Sequence, residues 1–154
     1  MKALKSLLLI VSIGVLFTLS NCGSPSPTPE PVADQQLAKL SKTWKITNVK
    51  LDGADKTTSY PGFQLIVTGT KGATSFGYTT SGRPLLSAWK SSGTWAFGTD
   101  PLTMLVRDPD STTDKLDMTY TVSESTLTIS FNYQGAGYTR TDVVKGAWVF
   151  TFGL

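Results

Sequence analysis

Alternation of apolar and polar residues is the feature that most restricts the fold of this 154-residue chain. In three segments of the second half, every second residue is apolar, and Thr, Ser, Asp and Asn predominate between them. Successive side chains of a β-strand point to opposite faces, so each segment predicts a strand with one buried and one solvated face. The apolar positions are Leu116, Met118, Tyr120 and Val122, then Leu127, Ile129, Phe131 and Tyr133, then Trp148, Phe150 and Phe152.

The middle of the chain repeats this pattern in shorter segments, with turn signals rich in Gly, Pro, Asp and Ser between them. Connections this short cannot carry parallel crossovers, so we expect an antiparallel meander of about eight to ten strands. From the residues alone, the all-β meander either closes as a barrel or folds as a β-sandwich. The inward positions in this region are predicted to be Phe63, Leu65 and Val67, then Phe76 and Tyr78, then Trp95 and Phe97, then Leu102, Met104 and Val106.

One short helix is expected before the first strand. Asp34 is a suitable N-cap residue, and Leu37 and Leu40 then share one helical face. No other segment has a helical pattern, so residues 34–154 are interpreted as a single β domain, long enough for a core without disulfides.

The first 21 residues indicate an export signal, because two lysines precede an apolar run that is too short to remain as a membrane-spanning helix. Leu19-Ser20-Asn21-Cys22 then resembles the bacterial lipobox, in which an apolar residue lies three positions before a cysteine. The resemblance implies cleavage before Cys22 and lipid on its thiol, and Cys22 is the only cysteine in the chain. We therefore expect residues 1–21 to be a lipoprotein signal peptide.

Residues 22–33 are predicted to form a tether, because proline alternates with small or polar residues and favours an extended polyproline-like conformation. Lipid on Cys22 would hold this tether at a bilayer. The expected location is the cell envelope, most specifically the outer membrane on the side facing the periplasm.

Charge and reactive residues exclude several functions. The chain has 14 Lys and Arg against 11 Asp and Glu, and two of the lysines lie in the export signal, so no field for binding nucleic acid is expected. There is no histidine, and the only thiol is assigned to lipid, which removes Ser-His-Asp, Cys-His and His-metal chemistry. We expect no enzyme activity, no cofactor and no metal.

The acidic run from Asp108 to Asp114 has some of the spacing of a calcium loop. It lacks the glycine at the sixth position and the acid at the twelfth, which is Thr119. An Asp-Pro turn followed by a polar hairpin loop is the preferred interpretation.

Residues 85–92 lack alternation and contain Trp89, which predicts a long loop. This apolar loop can form a lid on the sheet or a contact patch for a partner protein. It can equally pack onto its own domain, and the residues alone leave these alternatives open.

From residue 37 to the end, the chain resembles the lipocalin-like lipoproteins of Gram-negative envelopes. Leu40-Ser41-Lys42-Thr43-Trp44-Lys45 is similar to the start of that domain, where a helix leads into a strand through a Gly-x-Trp motif, with Lys42 at the glycine position. The resemblance implies a closed barrel with Trp44 plugging one end and Arg140 lying over its ring.

The resemblance also implies a small apolar or amphipathic ligand inside the barrel. Tyr78, Tyr120 and Tyr133 are then the inward polar groups, with Trp89 as a further contact. The alternative is a structural or protein-interaction module of the cell envelope with a solid core and no ligand cavity. In that case the outer face and loops would contact an envelope protein, with Trp89 foremost among the contact residues.

Overall fold

The computed structural model describes residues 28–85, 87–135 and 144–154. The predicted signal peptide, Cys22 and Arg140 lie outside the described residues. A short 3-10 helix (Thr57–Ser59) precedes the third strand. The other elements are α1 (Val32–Leu40), β1 (Thr43–Leu51), β2 (Ala54–Asp55), β3 (Gln64–Thr68), β4 (Phe76–Ser81), β5 (Ser92–Phe97), β6 (Met104–Arg107), β7 (Leu116–Val122), β8 (Thr126–Tyr133) and β9 (Gly146–Gly153).

Eight of the nine described strands form a closed antiparallel barrel. Strands β3 to β9 pair in chain order, and β1 closes the ring by pairing with both β3 and β9. Strand β1 contacts β3 through its first three residues and β9 along most of its length, the stagger expected of tilted barrel strands. The predicted meander is confirmed, and closure excludes the sandwich. The fold is a lipocalin-like barrel with one short helix, and β2 adds a small extra strand beside β1.

Inward-facing aromatic rings fill much of the barrel, at the positions that the alternation predicted for β8 and β9. Trp148, Phe150 and Phe152 are buried in a row along β9, with neighbouring ring centroids 5.4 and 6.3 Å apart. Phe131 of β8 stacks on Phe150 at 5.7 Å. Such aromatic pairs contribute roughly 0.5–1.5 kcal/mol each beyond the area that they bury.

The prediction for β6 is wrong, because the inward residues are Leu105 and Arg107 while Leu102 is exposed. Leu102 belongs to the preceding turn, where its amide donates to Asp100 Oδ1 over 3.0 Å, and the strand begins only at Met104. Three consecutive apolar residues, 104–106, make either parity compatible with the sequence. The consequence is that a charged side chain points into the barrel.

The helix begins at Val32, so Asp34 is not its N-cap residue and the last two residues of the predicted tether are helical. Asp34 instead accepts a hydrogen bond of 2.9 Å from the Gly72 amide in the β3–β4 turn. Leu37 and Leu40 are buried, as predicted, and α1 closes one end of the barrel. Within the described part of the chain, no helix has the length and apolar character needed to cross a membrane.

We call the end covered by α1 the helix end. The opposite end, called the loop end, carries the β4–β5 connection (82–91) and the β6–β7 connection (108–115).

Candidate functional site

Trp44 lies at the helix end, fully buried beneath α1. Its indole N–H donates to the Leu40 carbonyl over 2.9 Å, which ties the end of the helix to β1. The ammonium of Lys42 lies 5.6 Å from the centroid of the Trp44 ring, a cation–π distance. Among the described residues, the basic side chain over this ring is that of Lys42, which occupies the glycine position of the motif, and the predicted Arg140 lies outside the described residues.

Trp89 lies inside the barrel at the loop end. It belongs to a short segment, Ser87 to Lys90, that folds inward from the β4–β5 connection, and we call this the plug segment. Its first three residues are buried. The Trp89 ring packs against four core rings with centroid distances of 5.7 to 6.4 Å, those of Phe63, Tyr78, Phe131 and Phe150. The loop therefore packs into its own barrel, and Trp89 is not an exposed contact residue.

Arg107 is the charged residue that β6 directs into the barrel, and it is almost fully buried. One guanidinium nitrogen, Nη1, donates to the Ala88 carbonyl of the plug segment over 2.7 Å. The guanidinium carbon lies 5.7 Å from the centroid of Trp89 and 5.9 Å from that of Tyr133. Its Nε lies 3.8 Å from Asp108 Oδ2 and has no hydrogen-bond partner among the described residues. A buried cation is costly unless it is fully paired, so Arg107 is an unusual residue to find inside a packed barrel.

Two further cations hold the plug segment. Lys90 Nζ lies 2.7 Å from Asp114 Oδ2 and 3.1 Å from Asp108 Oδ2. The hydrogen bond to Asp114 is the main cause that raises the pKa of Lys90, so its ammonium stays charged. Arg83 Nη1 donates to the Trp89 carbonyl over 3.1 Å.

The acidic run from Asp108 to Asp114 therefore holds an ammonium group of its own chain. Across the described residues, His, Cys, Asp and Glu form no group of three or more that could bind a metal ion.

The backbone around Asp108 is tightly constrained. Asp108 has a left-handed φ of 48°, and its Oδ1 accepts the Thr94 amide over 3.0 Å. A Cβ at Gly93 would lie 2.3 Å from that Oδ1 and 2.7 Å from the Tyr78 hydroxyl, so a larger residue there would have to displace one of these side chains. Left-handed backbone costs a non-glycine residue roughly 1–2 kcal/mol, although Asp tolerates it better than most. The Asp108 carboxylate is thus positioned by the strained backbone of its own residue and by its close approach to Gly93.

The three tyrosines proposed as inward polar groups are all buried but do not form one cluster. Tyr78 contacts Trp89, and its hydroxyl has no hydrogen-bond partner among the described residues. Burial raises the pKa of Tyr78, which keeps the hydroxyl protonated. Tyr133 lies beside the Arg107 guanidinium. Tyr120 lies at the helix end, where its hydroxyl donates to the Pro101 carbonyl, so it is not part of the loop-end site.

A cavity of about 30 Å³ remains inside the barrel, and Tyr78, Trp89, Leu105 and Arg107 are among the residues that line it. A cavity of roughly 10–15 Å³ on this measure holds one water molecule, whereas small-molecule pockets span roughly 300–1,000 Å³. With Trp89 in place, the barrel therefore has room for water but not for a lipid-sized ligand.

Sequence reasoning singled out Tyr78 and Trp89 but missed Arg107, and it considered Asp108 and Asp114 without predicting their pairing with Lys90. The available signal was an arginine that ends an apolar strand and precedes Asp108-Pro109. That signal does not reveal which face of the strand the arginine occupies.

Comparisons of the chain with protein-family models, with curated proteins and with solved structures gave no match. The class defined by the fold and the site is a lipocalin-like barrel whose interior is filled by its own loop beside a buried arginine. A function for such a barrel has to be argued from the chemistry of that interior.

Proposed function

We propose that this chain is a lipid-anchored lipoprotein of the cell envelope whose barrel binds a small apolar or amphipathic ligand. The observation that carries the proposal is the buried charge of Arg107 inside the barrel. Around it, Arg107 Nε, the Tyr78 hydroxyl and the Trp89 indole N–H all lack hydrogen-bond partners among the described residues. An unpaired buried donor costs about 1–3 kcal/mol, and the residues that carry these three donors line the cavity, so a bound molecule with acceptor atoms would recover part of that cost. Ligand sites typically combine an apolar wall with a few such polar groups.

The anchor in this proposal is Cys22, with several acyl chains, because a single chain binds membranes only marginally. The tether then joins the barrel at the helix end, where Glu30 pairs with Lys71 and Asp34 accepts from Gly72. In this arrangement the loop end faces away from the bilayer. The proposed location is the periplasmic side of the outer membrane, and the proposed relatives are the lipocalin-like envelope lipoproteins.

A second candidate function is a structural or protein-interaction module with a solid core. The observation that favours it is the small cavity, because stacked rings and the plug segment leave only about 30 Å³ free. Such a module would contact an envelope protein through its outer face and loops.

Mass spectrometry of the full chain purified from membranes tests both parts of the proposal. Under denaturing conditions, we expect the mass to show removal of residues 1–21 and addition of acyl chains, and Cys22→Ser should lack the acyl mass. Under native conditions, we expect a co-purified apolar or amphipathic molecule that Arg107→Gln loses. Lys115→Gln, which removes an exposed charge at the same end, serves as the control. A folded, acylated chain without any bound molecule would favour the interaction module.

A further inference from the structure

Trp89 occupies the space that a ligand would need, and it fits less well than the other three tryptophans. The indole N–H groups of Trp44, Trp95 and Trp148 donate to backbone carbonyls over 2.9, 3.1 and 2.7 Å. The indole N–H of Trp89 is buried without an acceptor among the described residues. Buried tryptophan N–H groups usually find a partner, so this indole is packed by shape but not satisfied chemically.

The plug segment is attached mainly through side chains. Its residues lie outside the strands of the sheet, so its removal breaks no ladder hydrogen bond. Ala88 and Trp89 accept from the two arginines described above, and the Lys90 carbonyl accepts from Thr80 Oγ1 over 2.7 Å. The plug segment therefore contributes nothing to the strand pairing, and the ion pairs of Lys90 with Asp108 and Asp114 hold its C-terminal side.

We propose that a ligand displaces the plug segment from the barrel and occupies the same space. This ligand is an amphipathic molecule with a flat aromatic or compact apolar body and one anionic head group. This inference rests on the proposed binding function. The body replaces the Trp89 indole against Phe63, Phe131 and Phe150, and the head replaces the Ala88 carbonyl at Arg107. A carboxylate bonds two guanidinium nitrogens at once, so it also pairs Arg107 Nε, which the carbonyl leaves unpaired.

The charges around the plug segment favour a single negative head group. The groups that contact the segment or belong to it include three cations, Arg83, Lys90 and Arg107. Two carboxylates, Asp108 and Asp114, face Lys90, which leaves an excess of one positive charge. A neutral ligand that displaced Ala88 would remove the acceptor of Arg107 Nη1 without supplying a charged one, so the charge on the head selects the ligand.

The test uses the full chain in lipid nanodiscs, labelled with 5-fluorotryptophan and observed by ¹⁹F NMR, with empty nanodiscs as the blank. The probe is indole-3-acetate, and indole-3-ethanol is its neutral match. Trp89→Phe assigns the Trp89 resonance. We expect indole-3-acetate to move that resonance to a solvent-exposed position, with only small shifts at Trp44 and Trp148. The neutral probe should bind at least about tenfold more weakly, and Arg107→Gln should abolish this preference.

Two variants change the plug segment or its attachment and leave Arg107, the proposed partner of the anionic head group, in place. Trp89→Ala removes the competing indole, so we expect about tenfold tighter binding of indole-3-acetate than in the unmodified chain. Arg83→Gln weakens the attachment of the plug segment while leaving the rings untouched, so it keeps the test open if Trp89→Ala fails to fold. We expect Arg83→Gln to bind severalfold tighter, and weaker binding by either folded variant would overturn the displacement.

The outcomes separate this inference from the proposed function. Binding of indole-3-acetate with an unmoved Trp89 resonance would overturn the displacement and leave ligand binding in place. Equal binding of the charged and neutral probes would overturn the anionic head group. Binding no stronger than the nanodisc blank, in the unmodified chain and in both plug variants, would overturn the inference, whereas the binding function is overturned only if the native mass spectrum also shows no bound molecule.

Discussion

The two ends of the barrel are both closed by aromatic residues, but they differ in whether the buried polar groups of those residues are hydrogen-bonded. At the helix end, the Trp44 N–H bonds the Leu40 carbonyl and the Tyr120 hydroxyl bonds the Pro101 carbonyl, leaving the Ser41 hydroxyl as the unpaired group there. At the loop end, Trp89 and Tyr78 are just as buried, but their N–H and hydroxyl groups have no partner within the described residues.

This difference in hydrogen bonding indicates that the helix end is closed in a way that stabilises the fold, whereas the closure of the loop end can be reversed. Pairing every buried donor adds to the free energy of unfolding, and unpaired donors subtract from it. Elements that open in function are drawn from the less stable parts of a structure. The helix end therefore has the properties of a permanent cap, and the loop end those of a removable one.

The largest expected contrast is between Trp44→Ala and Trp89→Ala. Truncating a buried tryptophan costs roughly 3–5 kcal/mol of the free energy of unfolding, and we expect this full loss for Trp44. The loss for Trp89 should be at least about 1 kcal/mol smaller, because the variant also removes an unpaired donor and the segment can move outward. Guanidinium denaturation of the full chain, followed by circular dichroism, measures both values. A loss at Trp89 as large as that at Trp44 would make the loop end an equally permanent cap.

A smaller effect is expected at the ion network, and it should depend on pH. The hydrogen bond to Asp114 raises the pKa of Lys90, so the folded state favours the protonated ammonium. That stabilisation is complete below the pKa of an unfolded lysine, roughly 10.4, and disappears as the pH rises through the higher folded value. Lys90→Met should therefore lower the free energy of unfolding by about 1–2 kcal/mol at pH 7.

The same comparison at alkaline pH tests whether the ammonium charge of Lys90 is the cause of this stabilisation. The difference between Lys90→Met and the unmodified chain should narrow as the pH rises through the pKa of the folded Lys90, which lies above that of an unfolded lysine. Lys115→Met, at an exposed position of the same end, should have little effect at either pH. A difference for Lys90→Met that is constant with pH would mean that the ammonium charge does not hold the plug segment.

The smallest expected effects come from removing one hydroxyl at each end. Tyr120→Phe deletes a hydroxyl that donates to Pro101, so we expect a loss of about 1 kcal/mol. Tyr78→Phe deletes a hydroxyl without a partner among the described residues, so stability should stay unchanged or rise slightly. Thermal melting of the matched pair decides the point, and equal losses would show that the Tyr78 hydroxyl is paired after all.

Local chemistry determined most of the architecture in advance. The period-two pattern predicted β7, β8 and β9 with the correct inward faces, because side-chain alternation in a strand does not depend on the rest of the fold. The helix carrying Leu37 and Leu40 was predicted for the same reason, although its start was placed three residues late, with Asp34 instead of Pro31 as the N-cap residue. The candidate site was predicted only in part, since alternation shows that Tyr78 and Tyr120 point inward but not that they lie at opposite ends.

The tertiary structure decided what depends on distant parts of the chain. Closure as a barrel requires β1 to pair with β9, including Lys45 with Gly153, and no local pattern specifies that contact. The inward face of β6 was settled by the turn at Asp100 and by partners elsewhere, because Arg107 bonds Ala88 from another connection. By itself the sequence determined an antiparallel β domain and a lone cysteine. Only the folded barrel brought Trp89, Tyr78 and Arg107 together, because the contacts that bury an arginine join segments that are remote in the chain.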